Sequence, residues 1–122
     1  MVSWVINERF DVERQIVLAI CQDVARGVLP PGDAMSSPQS LSEERTLNPH
    51  SVESAYAKLV EDGLLRVQAG GDYQISADAP RLARSCLLQW AKEEAKCLVG
   101  TLRCAGLSAE EIQGVFREVG DA

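Results

Sequence analysis

The sequence has few of the side chains that usually perform chemistry or cross a membrane. It contains one histidine, and aromatic residues make up 5% of the chain. No apolar run approaches the roughly 18 residues that a membrane-spanning helix needs. The N-terminal segment also lacks the basic and apolar stretches of a signal peptide. We therefore expect a cytoplasmic protein that does not contact a membrane.

The cysteines are few and badly spaced for a metal site. Four are present, and no two form a C-x-x-C pair. Cys21 lies far from Cys86, Cys97 and Cys104, which share one helical segment with apolar neighbours, and His50 has no familiar ligand spacing to any of them. The pattern predicts buried, reduced thiols and no metal or cofactor.

No catalytic constellation is present either. The sequence offers no Ser/His/Asp set, no carboxylate pair that can be assigned to a pocket, and no glycine motif that cradles phosphate. Gly70 and Gly71 are better interpreted as the turn of a β-hairpin. We predict that the protein is not an enzyme.

Positive charge is scarce in the first two thirds of the chain. Residues 1–79 contain six basic residues and twelve acidic ones, so the whole net charge of −6 lies there, and residues 80–122 are neutral. A nucleic-acid-binding domain normally has the opposite sign, because phosphate contacts supply much of its affinity. A nucleic-acid interface in this part of the chain would therefore have few basic side chains for phosphate contacts.

The most informative segment is a predicted helix that is capped at Asn48 and stops at Gly63, before a strand. Asn48 is a good helix N-cap, and Pro49 suits the first turn, where its missing N–H is not needed. Apolar residues recur at helical spacing, and polar residues lie between them. This pattern is typical of a recognition helix and equally of an ordinary amphipathic helix in a small α-rich domain. The apolar set is Val52, Ala55, Tyr56 and Leu59, and the polar set is His50, Ser51, Glu53, Ser54 and Lys58.

The remaining pattern predicts a mostly α-helical fold with one small β-hairpin. Asp11 is expected to cap the first helix, and Ser108 and Glu111 form a capping box before the last. The short apolar segment Trp4-Val5-Ile6 is expected to be an edge strand or a packing arm. The predicted elements are helices over residues 12–26, 38–44 and 49–62, strands over residues 64–67 and 72–75, a helix over residues 80–105, and a final helix after residue 108.

Two apolar stripes run along the helix at residues 80–105. One has the heptad spacing of a helix–helix seam, and the other lies beside it, so this helix needs two packing partners. We expect the last helix to supply one and a second chain the other, although packing of the seam inside one chain is an alternative. Residues 80–122 are thus predicted as a dimerisation tail, separate from a domain over residues 1–79. The seam comprises Leu88, Ala91, Ala95, Leu98, Leu102 and Ala105, the second stripe comprises Leu87, Trp90, Cys97 and Cys104, and the inward residues of the last helix are Ile112, Val115, Phe116 and Val119.

Four runs of residues together resemble the GntR-type winged helix-turn-helix regulators. The short two-helix tail is similar to that of their YtrA-like branch. The resemblance implies a bacterial transcription regulator that binds a double-stranded DNA operator as a homodimer, with a recognition helix in the major groove and a wing beside it. The runs are Glu13-Arg14-Gln15-Ile16, Gly27-Val28-Leu29-Pro30-Pro31-Gly32-Asp33, the Asn-Pro-x-x-Val-x-x-Ala-Tyr-Ala-Lys-Leu run over residues 48–59, and Glu61-Asp62-Gly63-Leu64-Leu65.

The DNA-facing positions depart from the family pattern in three places. Gln39 stands where the second helix usually carries an arginine, Ser54 where the recognition helix carries a basic residue, and the wing tip is acidic at Asp72. Glu53 adds further repulsion toward phosphate. The candidate DNA-contacting residues are Ser37, Gln39, Arg45, Asn48, His50, Ser51, Ser54, Lys58, Arg66, Gly70 and Gly71.

Two functions remain open at this point. The resemblance favours a dimeric DNA-binding regulator with weak non-specific binding. The charge distribution favours a winged-helix module that has lost DNA binding and serves as a protein-interaction or heterodimer subunit. For His50, Lys58 and Arg66, the alternative to a DNA contact is an ordinary solvated surface position. A small apolar effector of unknown identity near Trp90 is also compatible with the sequence.

Overall fold

The computed structural model describes Ile6 and residues 11–120. Five helices and a three-stranded antiparallel sheet lie within these residues, which confirms the mostly α-helical class. The expected role of Trp4-Val5-Ile6 concerns a segment outside the described residues, apart from Ile6. In chain order the elements are α1 (Val12–Ala25), β1 (Ala34–Met35), α2 (Pro38–Arg45), α3 (Pro49–Glu61), β2 (Leu65–Val67), β3 (Tyr73–Ile75), α4 (Ala79–Cys104) and α5 (Ala109–Gly120).

The helix ends follow local chemistry that is visible in the sequence. The side chains of Asp11, Ser37 and Asn48 accept hydrogen bonds from backbone N–H groups in the first turns of α1, α2 and α3. The capping box of α5 is confirmed, because the Ser108 hydroxyl accepts from the Glu111 N–H and the Glu111 carboxylate accepts from the Ser108 N–H, both at 3.2 Å. Such caps satisfy donors that a helix cannot satisfy by itself.

The first compact unit, Met1–Leu87, is built around the contact between α1 and α3. Ile16 and Ile20 of α1 and the apolar stripe of α3 are fully buried together. The Tyr56 ring meets the Tyr73 ring edge-on, with centroids 4.9 Å apart, and its hydroxyl donates to the Ser36 carbonyl at 2.7 Å. Burial raises the pKa of the Tyr56 hydroxyl, so this donor remains protonated at neutral pH.

The sheet has the order β1-β3-β2, and β1 was not expected from the sequence. Ala34 pairs with Gln74 and Met35 with Tyr73, so β1 adds a third strand to the predicted hairpin. The preceding loop extends this pairing, because the Gly32 N–H donates to the Ile75 carbonyl at 2.8 Å and the Ile75 N–H donates to the Asp33 carbonyl at 2.9 Å. Two residues are too few to show a strand periodicity, so long-range pairing alone defines β1.

The second compact unit is Leu88–Ala122, and α4 begins within the first. Ala79 and Ala83 in the first turns of α4 are buried in the core of the first unit. The division of function between a domain over residues 1–79 and a tail over residues 80–122 stays a prediction.

The tail is less buried than its pattern suggested. Ile112 is buried, but the expectation that Val115, Phe116 and Val119 face inward is wrong for the single chain, in which Val119 is 69% exposed. Leu88 and Leu98 of the seam are exposed as well, so packing of the seam inside one chain does not cover them. The amphipathic pattern is real, but the second unit by itself leaves this apolar face uncovered.

The cysteines also differ from the expectation of buried thiols. Cys21 is buried and Cys86 is half-buried against the same core, whereas Cys97 and Cys104 are exposed. Burial raises the pKa of the Cys21 thiol, and the neighbouring Cys86 adds to the rise. Within the described residues, no three of the His, Cys, Asp and Glu side chains form a group that could hold a metal ion.

Candidate nucleic-acid interface

The recognition-helix candidate, α3, presents a polar face opposite its buried stripe. Val52, Ala55, Tyr56 and Leu59 are buried, as predicted. With about 3.6 residues per turn, His50, Ser54 and Glu61 lie on the opposite side of the helix. Glu61 was missed as a member of this face, although the same periodicity identifies it. The face therefore holds an imidazole, a hydroxyl and a carboxylate.

The N-terminal end of α3 combines a cap with a potential anion site. The Asn48 side-chain oxygen accepts from the His50 N–H at 2.9 Å, so this oxygen is committed to the helix. The Asn48 amide N–H₂ is the part of this side chain that can donate to DNA. Backbone N–H groups of a helix N-terminus carry partial positive charge and bind phosphate well. Ser51, half-buried in the same turn, adds a hydroxyl.

The cation of α3 is already engaged in an ion pair. Lys58 Nζ lies 3.4 Å from Asp62 Oδ1, and the two side chains are 51% and 34% exposed. The hydrogen bond to Asp62, and then the charge of that carboxylate, raise the pKa of the Lys58 amine. Lys58 is thus firmly protonated, but its charge is offset within 4 Å.

The candidate DNA-contacting residues at α2 differ in role: one caps the helix, and the other two have long polar side chains that differ in exposure. Ser37 is the N-cap of α2, where its hydroxyl accepts from the Ser40 N–H at 3.1 Å and donates to the Ser40 hydroxyl at 3.0 Å. Gln39 is exposed in the first turn, and Arg45 is half-buried in the last turn. Gln39 is therefore the more accessible of the two long side chains.

The wing, which we define as β2, β3 and the turn between them, is a polar hairpin held by amides. The Gln68 side chain donates to Gln74 at 2.6 Å, and Gln74 donates to the Gly32 carbonyl at 2.9 Å. Arg66 is exposed and pairs across the ladder with Gln74. The turn is closed by a bond from the Gly71 N–H to the Gln68 carbonyl at 2.9 Å. Sequence patterns gave no signal for the two glutamines, because their pairing depends on register.

The predicted site residues are distributed over three neighbouring elements. α2 packs on α3, and β2 follows α3 directly. Their use in one common interface stays a prediction. The exposed candidates are Ser37, Gln39, Asn48, His50, Lys58, Arg66, Gly70 and Gly71, and the half-buried ones are Arg45, Ser51 and Ser54.

Three helices followed by a β-hairpin, with a capped and polar-faced third helix, define a winged helix-turn-helix protein. Within the described residues, no helix has the length and apolar character required to cross a membrane.

Comparison with known proteins narrows this class. No protein-family model matches the chain. It is 25% identical to the HTH-type transcriptional repressor YtrA of Bacillus subtilis over 108 residues, which cover 88% of this chain and 83% of that protein.

Solved structures share the fold. A GntR family transcriptional regulator from Listeria monocytogenes matches with a TM-score of 0.76 and 21% identity, covering 92% of this chain and 97% of that one. BusR of S. agalactiae, solved in complex with its busAB-promotor DNA, matches with a TM-score of 0.59 and 17% identity, covering 89% of this chain and 53% of that one. Together these similarities confirm the resemblance to GntR-type winged helix-turn-helix regulators and to their short, YtrA-like form.

Proposed function

We propose that this protein is a DNA-binding transcriptional regulator that inserts α3 into the major groove of an operator. The observation that carries the proposal is the winged helix-turn-helix fold, together with similarity to the repressor YtrA over 88% of the chain. A helix of this width fits the major groove, where base edges differ from one base pair to another. The polar, outward face of α3 is the surface that would read them.

Different residues of α3 suit contacts with bases and contacts with phosphates. His50 and Ser54 lie on the outward side, where an imidazole or a hydroxyl can contact a base edge. The backbone N–H and the hydroxyl of Ser51 suit a phosphate, because Pro49 has no N–H and the His50 N–H is bonded to Asn48. On the wing, Arg66 is a candidate for phosphate, and Gly70 and Gly71 permit close approach of the backbone.

The net negative charge of residues 1–79 affects how strongly such a protein binds DNA of any sequence. Non-specific binding depends almost entirely on phosphate neutralisation and counterion release. With six basic residues against twelve acidic ones in this part of the chain, we expect weak non-specific binding. Discrimination would then rest on base contacts rather than on general attraction to DNA.

The test is a gel-shift titration at low salt against the DNA that flanks the protein's own gene, with a shuffled duplex as competitor. We expect a shift with the flanking DNA that the His50→Ala/Lys58→Ala double variant weakens by about ten- to a hundredfold, since each good base or phosphate contact contributes on the order of 1–3 kcal/mol. Lys92→Ala, which removes one lysine from α4, is the matched control and should bind like the native chain.

A folded protein that shifts no duplex at low salt would contradict this proposal. That outcome would favour the alternative, a winged-helix module that binds another protein or a sibling regulator instead of DNA. The acidic charge of residues 1–79 is the feature that such a partner would meet.

We further propose that the active form is a homodimer assembled through the tail. The support is the apolar surface that the single chain leaves exposed at Leu88, Leu98, Phe116 and Val119. Exposed apolar surface of this kind is typical of a protein–protein contact. Two copies would also supply the two recognition helices that a symmetric operator requires.

The cellular setting follows from the proposed function. A regulator of transcription acts where the chromosome lies, so we place the protein in the bacterial cytoplasm. We assign it no catalytic role, and the relative named above is a repressor rather than an enzyme.

A further inference from the structure

The recognition helix carries one lysine and no arginine, and a carboxylate one turn away holds that lysine. Lys58 is the only such cation between Pro49 and Glu61, and its Nζ lies 3.4 Å from Asp62 Oδ1. Asp62 is the C-cap residue of α3, where its backbone N–H donates to the Lys58 carbonyl at 2.9 Å and the Gly63 N–H donates to the Val60 carbonyl at 3.1 Å. The capped backbone therefore places the Asp62 side chain one turn from Lys58, within reach of its amine.

The fold does not require a carboxylate at this position. A helix C-terminus carries partial negative charge, which disfavours an aspartate there. The backbone N–H groups of Asp62 and Gly63 make the capping bonds, and Gly63 at φ +86° ends the helix. An exposed pair with the lysine preceding the acid is also the less favourable order for spacing i, i+4. Stability alone gives no reason for Asp62 to be acidic.

The ion pair is weak enough for DNA to compete with it. Both side chains are partly exposed, and exposed pairs of this kind are screened by salt. When α3 approaches a duplex, Lys58 must exchange the Asp62 carboxylate for a phosphate, and Asp62 is then left near the polyanion with Glu61 beside it. Each binding event through Lys58 therefore carries an electrostatic penalty.

We infer that Asp62 is a positioning residue that lowers the DNA affinity of α3 by holding Lys58 away from phosphate. The inference rests on the proposed function, since it concerns the same helix and the same ligand. The penalty falls most heavily on non-specific binding, which has only phosphate contacts to offset it. Asp62 thus contributes to specificity by suppressing binding to the wrong sequences.

The experiment measures fluorescence anisotropy of labelled duplexes with the full chain, from about 20 to 200 mM salt, a range over which phosphate contacts strongly change affinity. Random duplex is titrated with the native chain, Asp62→Asn, Lys58→Gln and the double variant. We expect Asp62→Asn to bind random duplex about three- to tenfold more tightly at low salt, with a salt slope steeper by about one per chain. In the double variant, Lys58→Gln should remove this gain, because Asp62→Asn acts through Lys58.

Asp78→Asn is the matched control, because it removes the same charge from an exposed aspartate that lies 3.9 Å from Arg81. An equal gain from Asp78→Asn would attribute the effect to net charge and overturn the inference. A gain that survives the loss of Lys58, or equal affinities for Asp62→Asn and the native chain, would overturn it as well. Circular dichroism checks folding, and Asp62→Ser gives the same test with a different side chain.

The gel-shift titration and the anisotropy titrations together keep the two proposals apart. The proposed function fails if the native chain shows no preference for the DNA that flanks its gene over random duplex. The inference about Asp62 fails if the gain on random duplex is absent or independent of Lys58. Either result can occur without the other.

Discussion

Gly63 and Gly27 occupy the same place at the ends of α3 and α1, but their surroundings differ. Both have positive φ, +86° and +83°, and both follow a capped helix end. A Cβ on Gly63 would lie 3.3 Å from Leu82 Cδ1, whereas nothing lies within 4 Å of a Cβ on Gly27. Gly27→Ala therefore isolates the backbone strain, and Gly63→Ala adds a packing conflict.

We expect Gly27→Ala to lower the free energy of unfolding by about 1 kcal/mol, and Gly63→Ala to lower it by about 2 kcal/mol. Urea unfolding followed by circular dichroism measures both, with an unchanged m-value as the sign that the denatured state is not altered. If Gly27→Ala is as costly as Gly63→Ala, the contact with Leu82 contributes nothing.

At the scale of single residues, the sequence was most informative where chemistry is local. Asn48, Ser108 and Gly63 act within one helical turn of themselves, and their roles as caps or stops were predicted correctly. The bond from Tyr56 to Ser36 and the amide pair of Gln68 and Gln74 span longer separations. Such contacts depend on how the elements pack, and no local pattern indicates them.

At the scale of elements, long helices were easier to predict from the sequence than very short strands. The apolar stripe of α3 has helical spacing over about two turns, so its buried face was predicted residue by residue. β1 has two residues and gains its bonds from β3, which lies about 40 residues further along the chain. The candidate DNA-binding face of α3 was predicted only in part. The helix itself was predicted from the sequence, but the ion pair between Lys58 and Asp62 was not.

Substitutions of Asn48, the N-cap of α3, test whether this residue both stabilises the helix and contacts DNA. We expect Asn48→Ala to cost about 1 kcal/mol of stability, because the His50 N–H loses its acceptor. Asn48→Asp keeps the acceptor and suits the positive helix end, so stability should stay within about 0.5 kcal/mol while DNA binding weakens through repulsion of phosphate.

Urea unfolding and anisotropy titrations separate the two effects of Asn48. Ser108→Asp is the matched control, since it places the same charge at the N-cap of α5 while keeping a good cap. DNA affinity unchanged in Asn48→Asp would assign Asn48 to the helix alone and remove it from the candidate contacts.

At the scale of the whole molecule, the two units differ in how completely one chain forms them. The first has a contiguous core that includes Ile16, Ile20 and Tyr56, and its class was recognised from sequence. In the second, Ile112 is buried but Phe116 and Val119 are exposed. The periodicity of α5 correctly identified an apolar face, but periodicity does not indicate whether the same chain or another one covers it.

If a second copy covers the tail, thermal stability must depend on protein concentration, because association stabilises only the folded chains. We expect Tm to rise by about 2–4 °C for each tenfold increase in concentration, given the entropy of unfolding of a dimer of this size. Phe116→Glu should abolish the dependence without lowering Tm at the lowest concentration, since Phe116 is 39% exposed in the single chain. Val28→Glu, at a valine that is 45% exposed in the first unit, is the matched control and should leave the dependence intact. A native Tm that is independent of concentration, together with a monomer mass by light scattering, would refute assembly through this face.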